Sequence, residues 1–376
     1  MADVVWVLKA ATGHGERTHG MGLWYGIYDI RSGQMQGTDG KVQKEFCTLL
    51  NSIIYGVPRR RTQRRLIHLS LHPGVVTEYR PQLLRASRNL LNRFLDFEDE
   101  HVITNIRHMA GETILSVAYG IEVKPRDDPY IAISEENVKA VTAAAIPGTY
   151  LVDSLPFLKY IPSWFPGAEW KRKAKEWKES LIVMINSPFE SVKRDIMTGC
   201  VLPSFTSKGL QKIQEGKKDV AYTEEIIRNV AAAMYSAGSD TTVSTISSCM
   251  LGLLDHPEAL EKAQAEIDAM IKPGHLPDFE DEPSLPYITA IVKESLRWMV
   301  ALPISIPHYL EVEDEYQGYR IPAGSIIIPN AWAMLQDEKE YPDPSVFNPD
   351  RFMKDGKLNK DIRDPAHACW GFGRRY

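Results

Sequence analysis

Four groups of residues carry types and spacings suited to chemistry. Ala237-Gly238-Ser239-Asp240-Thr241-Thr242 sets an acid beside hydroxyls in the middle of a nearly uncharged stretch, Asn229 to Leu254. An acid there is costly to bury without partners. The missing side chain of Gly238 lets a bulky group approach the backbone. Glu294 and Arg297, at i and i+3, share one helix face and can pair. As a surface pair they contribute little. Ile291, Leu296, Trp298 and Met299 surround them, which suits a buried pair instead. Trp370-Gly371-Phe372-Gly373-Arg374-Arg375 sets two glycines between aromatics and follows them with arginines. Such a loop can press backbone against a flat anionic ligand. Arg59 to Arg65 includes five arginines ahead of an apolar stripe, which reads as anion contact or as a solvated basic face. His68 and His72 lie one turn apart, but no acid lies between them and Pro73 follows, so metal clamping is a weak reading.

The elements that must position these groups are mostly helices. The stretch around Asp240 reads as one helix of about 32 residues, roughly 48 Å at ~1.5 Å per residue. Thr223 is its expected N-cap, and Pro257 is expected to open the helix after it. Helical stripes also run through 79–93, 101–119, 168–197 and the segment after Pro286. Gly120 is an expected C-cap. Residues 147–166 hold four prolines among Tyr, Phe and Trp, and read as a packed irregular connection. The same apolar residues suit a pocket wall or a lip facing a membrane. Residues 209–219 are charged and read as a loop. Past Pro303 the pattern turns to short strands and turns, with 325–328 rich in β-formers.

Composition bounds the class. The chain has 376 residues, 44% hydrophobic and 25% charged, with net charge −5. That is ordinary globular composition, and the negative balance argues against nucleic acid. Cys47, Cys200, Cys249 and Cys369 lie far apart, which suits a reduced chain rather than a disulfide framework. No apolar run reaches the roughly 18 residues of a membrane span. Residues 13–41 are rich in glycine without a nucleotide-loop pattern, so 1–48 reads as an atypical, poorly ordered N-terminal segment.

Ala237–Thr242, Glu294-Ser-Leu-Arg297, Phe347-Asn-Pro-Asp-Arg-Phe352 and Trp370–Arg375, in this order, resemble the cytochrome P-450 superfamily. The resemblance spans roughly Leu49 to the end, so 49–376 is expected to form one P-450-like domain. Residues 147–177 resemble the fungal group typified by O-methylsterigmatocystin oxidoreductase. The resemblance implies a mainly α fold around a haem, with a small β-rich part, incomplete at both ends. It implies a monooxygenase that inserts one oxygen atom from O2 into a hydrophobic small molecule. Electrons would come from an NADPH-dependent reductase. Asp240 and Thr241 match the acid–alcohol pair that delivers protons from a loosened helix turn, and Gly238 would leave room for oxygen and substrate. Glu294, Arg297 and Arg351 match a structural ion-pair triad. Arg64, Arg375 and His308 match haem-propionate contacts, and Trp370, Gly371 and Gly373 match the loop beneath the haem. The pocket lining would include Ala233, Ala237, 299–306 and parts of 147–166. The family is usually held at the endoplasmic reticulum membrane, yet no transmembrane anchor is seen in this sequence; a cytoplasmic protein is the alternative.

Two departures matter. Arg60 stands where the family has tryptophan. The axial cysteine is expected one position beyond Tyr376, so no metal ligand is assigned within the chain. Cys369 precedes the loop and reads as a core residue. A second expectation therefore stands beside the enzyme: a truncated or degenerate family member without monooxygenase activity, binding a ligand or a partner.

Overall fold

The computed structural model describes residues 60–95, 102–145, 149–216, 223–306 and 308–372. The N-terminal segment 1–48 and the loop residues Gly373 and Arg375 lie outside them.

The fold is mainly α. Its main helices are α1 (Arg60–Leu71), α2 (Arg80–Leu95), α3 (Val102–Tyr119), α4 (Pro129–Ala145), α5 (Glu169–Thr198), α6 (Phe205–Gln214), α7 (Glu224–Asp255), α8 (Pro257–Met270) and α9 (Pro286–Trp298). Three two-stranded antiparallel sheets follow α9. They pair β1 (His308–Tyr309) with β4 (Ile326–Ile327), β2 (Asp314–Tyr316) with β3 (Tyr319–Ile321), and β5 (Met353–Lys354) with β6 (Lys357–Leu358). A short helix, α10 (Ala331–Leu335), lies between β4 and β5.

The core is built around α7, which runs 32 residues without a break. The Thr223 hydroxyl caps it, accepting from the Ile226 amide at 3.2 Å, and Glu224 and Glu225 favour the dipole in its first turn. Its N-terminal half joins a cluster with Ile114, Leu115, Met184, Phe189 and Phe205. Its C-terminal half joins another with Leu90, Met109, Ile288, Ile291 and Phe347. Apolar residues therefore occur all round the helix, as expected of one buried on every side.

Gly252 shows how tight the second cluster is. A Cβ built there would stand 2.5–2.7 Å from three carbon atoms of the Phe347 ring. That ring is itself wedged by Trp298 (5.4 Å between centroids) and His256 (5.8 Å). Gly252→Ala is therefore expected to lose about 1–3 kcal/mol by overpacking. Chemical denaturation checks this, and a variant as stable as the parent would show that the ring can move aside.

Three stretches differ from the sequence expectation. Residues 205–214 form α6, not a charged loop, because Ser204 and Ser207 cap its first turn reciprocally in a capping box. α4 carries little periodicity, being rich in alanine; the Asp128 carboxylate starts it by accepting from the amides of Tyr130 (2.8 Å) and Ile131 (3.3 Å). The 149–166 connection has two short helical turns, Leu151–Ser154 and Pro156–Tyr160, as its prolines require. It is not packed, however: Leu151, Phe157, Tyr160 and Trp164 are all more than half exposed. Helical turns of four and five residues have too little face to bury so many large side chains.

His108 on α3 gives a pH dependence. Its Nε2 lies 2.7 Å from the Lys124 carbonyl, and its ring is buried. Burial, and then the neighbouring Arg93 guanidinium, hold its pKa below the ordinary histidine value. The unfolded chain therefore takes up this proton first as pH falls. The His108 contribution to stability is lost from about pH 6.5 downwards, and the loss is complete below the lowered folded value. Comparing denaturation midpoints at neutral and acid pH should show a shallower loss in His108→Gln. An unchanged slope would remove His108 as the cause.

Candidate functional site

Glu294 and Arg297, one turn apart on α9, are both fully buried. Arg297 grips Glu294 through two hydrogen bonds, Nε to Oε2 and Nη2 to Oε1, each 2.7 Å. Arg351, in the Pro349–Phe352 turn, brings its Nε to 3.2 Å from the same carboxylate. The Asn348 amide adds a fourth donor at 2.8 Å. The remaining guanidinium hydrogens go to backbone oxygens. Arg297 reaches Leu335 and Val346, while Arg351 reaches Pro342, Asp343 and Val346. Three separate segments are thereby tied to one carboxylate. Burial pulls the Arg351 pKa below its usual value and the Glu294 charge opposes that shift. The structure brings the three together; sequence spacing alone could pair only Glu294 with Arg297.

Asp240 and Thr241 sit at the midpoint of α7 but do not meet. Thr241 donates its hydroxyl to the Ala237 carbonyl at 2.9 Å, one turn back in its own helix. Asp240 is neither buried nor unpaired: its Oδ1 lies 3.2 Å from Arg107 Nη1 on α3, and its side chain is 45% exposed. The loosened helix turn expected here is absent, because intrahelical bonding continues through it. The space expected at Gly238 is also filled. A Cβ built there would stand 3.0 Å from Ile114 Cγ1, so the glycine admits α3 rather than an oxygen molecule. Its neighbour Ser239 is held by Ser134 of α4 at 2.8 Å between hydroxyls. Arg107 and Ser134 had no sequence signal, since each reaches α7 from another helix.

The other expected contacts are dispersed. Arg64 lies within α1, and nothing further is described of its side chain. His308 is half-buried on β1, opposite Ile327 of β4. Trp370 is half-buried and Gly371 has φ +93°, a left-handed conformation that favours glycine and turns the chain sharply there. A Cβ on Gly371 would meet nothing within 4 Å, so its backbone is open to close approach. Cys369, by contrast, is buried among Ala331, Leu335, Tyr341 and Phe352. Burial, then the nearby Asp364 charge, pushes its thiol pKa well above the ordinary value, so it stays protonated.

A haem would need an apolar cradle, propionate partners and an axial ligand. Met299, Ile304, Ile328, Trp332 and Phe372 are exposed apolar side chains of the β-rich part and its flanks, which suit a flat apolar macrocycle. The axial ligand has no candidate among the described cysteines. Cys369 and Cys249 are core residues, and Cys200 lies exposed on the turn after α5. The described residues thus offer exposed apolar surface to such a group, and the described cysteines offer its iron no ligand.

The sequence pattern of the family described as Cytochrome P450 matches residues 43–376. The chain belongs to the cytochrome P450 family. Among its relatives, cytochrome P450 monooxygenase 98 of Postia placenta is 42% identical, over 85% of this chain and 61% of its own length. Tryptamine 4-monooxygenase of Psilocybe cyanescens is 39% identical, over 87% of this chain and 64% of its own. Cytochrome P450 monooxygenase CLM2 of Gibberella zeae is 37% identical, over 93% and 66%. The chain therefore spans a little under two thirds of the length of these P450 relatives. Family membership accounts for the helical fold and implies a haem.

Proposed function

We propose that this P450 chain supplies the distal wall and the structural frame of a haem monooxygenase acting on a hydrophobic small molecule. The observation that carries the reading is an acid and a hydroxyl at the midpoint of an otherwise apolar central helix. Bound haem would supply oxygen activation, and the chain's own residues would manage binding and protons. Thr241 would hold a proton at Oγ1 once its hydroxyl turned away from the Ala237 carbonyl, and Asp240 would resupply it once its carboxylate left Arg107. Glu294, Arg297 and Arg351 would keep the fold in register without touching substrate. His308, Trp370 and Gly371, with Arg64, Gly373 and Arg375, are the proposed haem contacts.

The substrate side is apolar. Ala233 and Ala237 on α7 and the 299–306 segment would line it, which favours a molecule with few polar atoms. The relative named for tryptamine makes small aromatic amines reasonable first ligands to test. Electrons would come from an NADPH-dependent reductase. The exposed 151–165 side chains, next to Lys171, Arg172, Lys173, Lys175 and Lys178 on α5, would suit contact with a membrane surface such as the endoplasmic reticulum. No helix among the described residues is long and apolar enough to cross a membrane.

A second reading is a family member that binds a ligand or a partner without oxidising it. Carbon monoxide on the reduced, haem-loaded protein separates the two. The form to use is the whole protein that its own transcript encodes. A thiolate-type shift of the main absorption band supports the monooxygenase. A well-folded, haem-bound protein without that shift supports the second reading.

A further inference from the structure

A groove of about 540 Å³ opens between α2 and the 278–280 turn, on residues assigned neither to haem nor to substrate. Its size suits one small molecule. On α2, Arg80, Leu84 and Arg88 recur every four residues and so share a face along the groove. The opposite wall is held by its own bonds. Asp278 Oδ1 accepts from the Glu280 amide at 2.8 Å, and Asp281 Oδ2 accepts from the Asp278 amide at 2.9 Å. Phe279 is buried in this wall, and the Arg80 guanidinium lies 5.0 Å from its ring centroid. The wall is therefore preformed, which lowers the cost of ordering it around a ligand.

The polar groups of the groove are not equivalent. Arg80 Nη1 pairs with Glu280 at 3.0 Å, and Arg85 Nη1 pairs with Glu122 at 2.8 Å. Asn89 gives its amide to Glu112 of α3 at 2.6 Å. Arg88 is exposed and makes no hydrogen bond or ion pair among the described residues. Arg80 Nε is also buried without a partner. One complete guanidinium fork and one further donor therefore stay unused beside an apolar floor of Pro81 and Leu84. The geometry points to a site for an apolar monocarboxylate, its carboxylate on Arg88 and its body along Leu84 and Pro81 toward Phe279. The planar fork of arginine meets a carboxylate with two parallel bonds. One negative charge is the right number, because three guanidiniums and two carboxylates line the groove. A dianion would meet Asp278 and Glu280 with the other two guanidiniums already paired. Arg80 and Arg88 stand two turns apart, roughly 12 Å at ~1.5 Å per residue, which sets the length of the ligand.

Calorimetric titration of the whole protein with 2-naphthylacetate, its neutral amide and 2-naphthyl phosphate tests this. The acid should bind more tightly than either the amide or the phosphate. Arg88→Gln should weaken the acid about five- to tenfold, the lower range for a charge-assisted hydrogen bond, as suits an exposed arginine. The same variant should leave the amide unchanged. Arg88→Lys, which keeps the charge and loses the fork, should fall between Arg88→Gln and the parent. The denaturation midpoint of Arg88→Gln should match the parent's, because Arg88 has no partner to lose, so the weakening is read on folded protein. In the haem-loaded form, the haem absorption band should stay in place while the acid saturates the groove. Equal affinities for acid and amide, tighter binding of the phosphate, or an acid affinity untouched by Arg88→Gln would each overturn the site. So would saturation by the acid that tracks a shift of the haem band, which places the ligand against the haem instead.

Discussion

Glu294→Gln is expected to destabilise the chain by about 3–5 kcal/mol, the cost of breaking a buried ion pair from one side. Arg297 would keep its charge with no exposure to water, and its two 2.7 Å bonds would lose their anion. Arg351 would lose the same partner and keep only backbone oxygens. The damage would not stay local. The carboxylate joins α9 to the Asn348 amide and the Pro349–Phe352 turn, and Arg297 also holds the end of α10 through the Leu335 carbonyl. Losing the anion loosens all three segments. Since whole domains are stable by only about 5–15 kcal/mol, the expected outcome is poor recovery of folded protein. Denaturation of whatever folds gives the number. A loss below about 1 kcal/mol, the value of an exposed pair, would contradict this account of the triad.

Thr241→Ala is expected to leave the fold nearly intact and alter chemistry instead. The hydroxyl bonds a carbonyl already engaged within α7, so removal should cost at most about 1 kcal/mol. In the haem-loaded whole protein, product formed per oxygen consumed should fall by roughly 10²-fold, the lower range for a positioned proton donor. The missing oxidation would appear as peroxide. Thr241→Ser, which keeps the hydroxyl, should recover most of the product. Equal yields for alanine and serine would remove Thr241 from proton delivery while leaving the fold account untouched.

These two variants probe features of different legibility. The long apolar run fixed α7, and its ends were readable because Thr223 and Pro257 are local signals. Glu294 and Arg297 were readable at one-turn spacing; their union with Arg351 needed the resemblance, because 54 to 57 residues separate the partners. α4 and α6 were missed for opposite reasons. α4 is rich in alanine and shows little contrast between faces, while the charged tail of α6 hid a serine capping box. Gly238 was read as space because sequence shows a missing side chain without showing that Ile114 fills the gap. Asp240 was read as buried because a helix pattern cannot reveal an arginine arriving from α3. What sequence lacks in each case is the long-range partner.

The most direct test of the central claim, that the Asp240–Thr241 region of α7 walls a haem site, is a haem titration of the folded protein. It would be followed by haem absorption and by quenching of tryptophan fluorescence. One haem per chain is expected, taken up saturably, with quenching complete at the same ratio. Folded protein that takes up no haem saturably, or takes it up without a defined ratio, would contradict the claim.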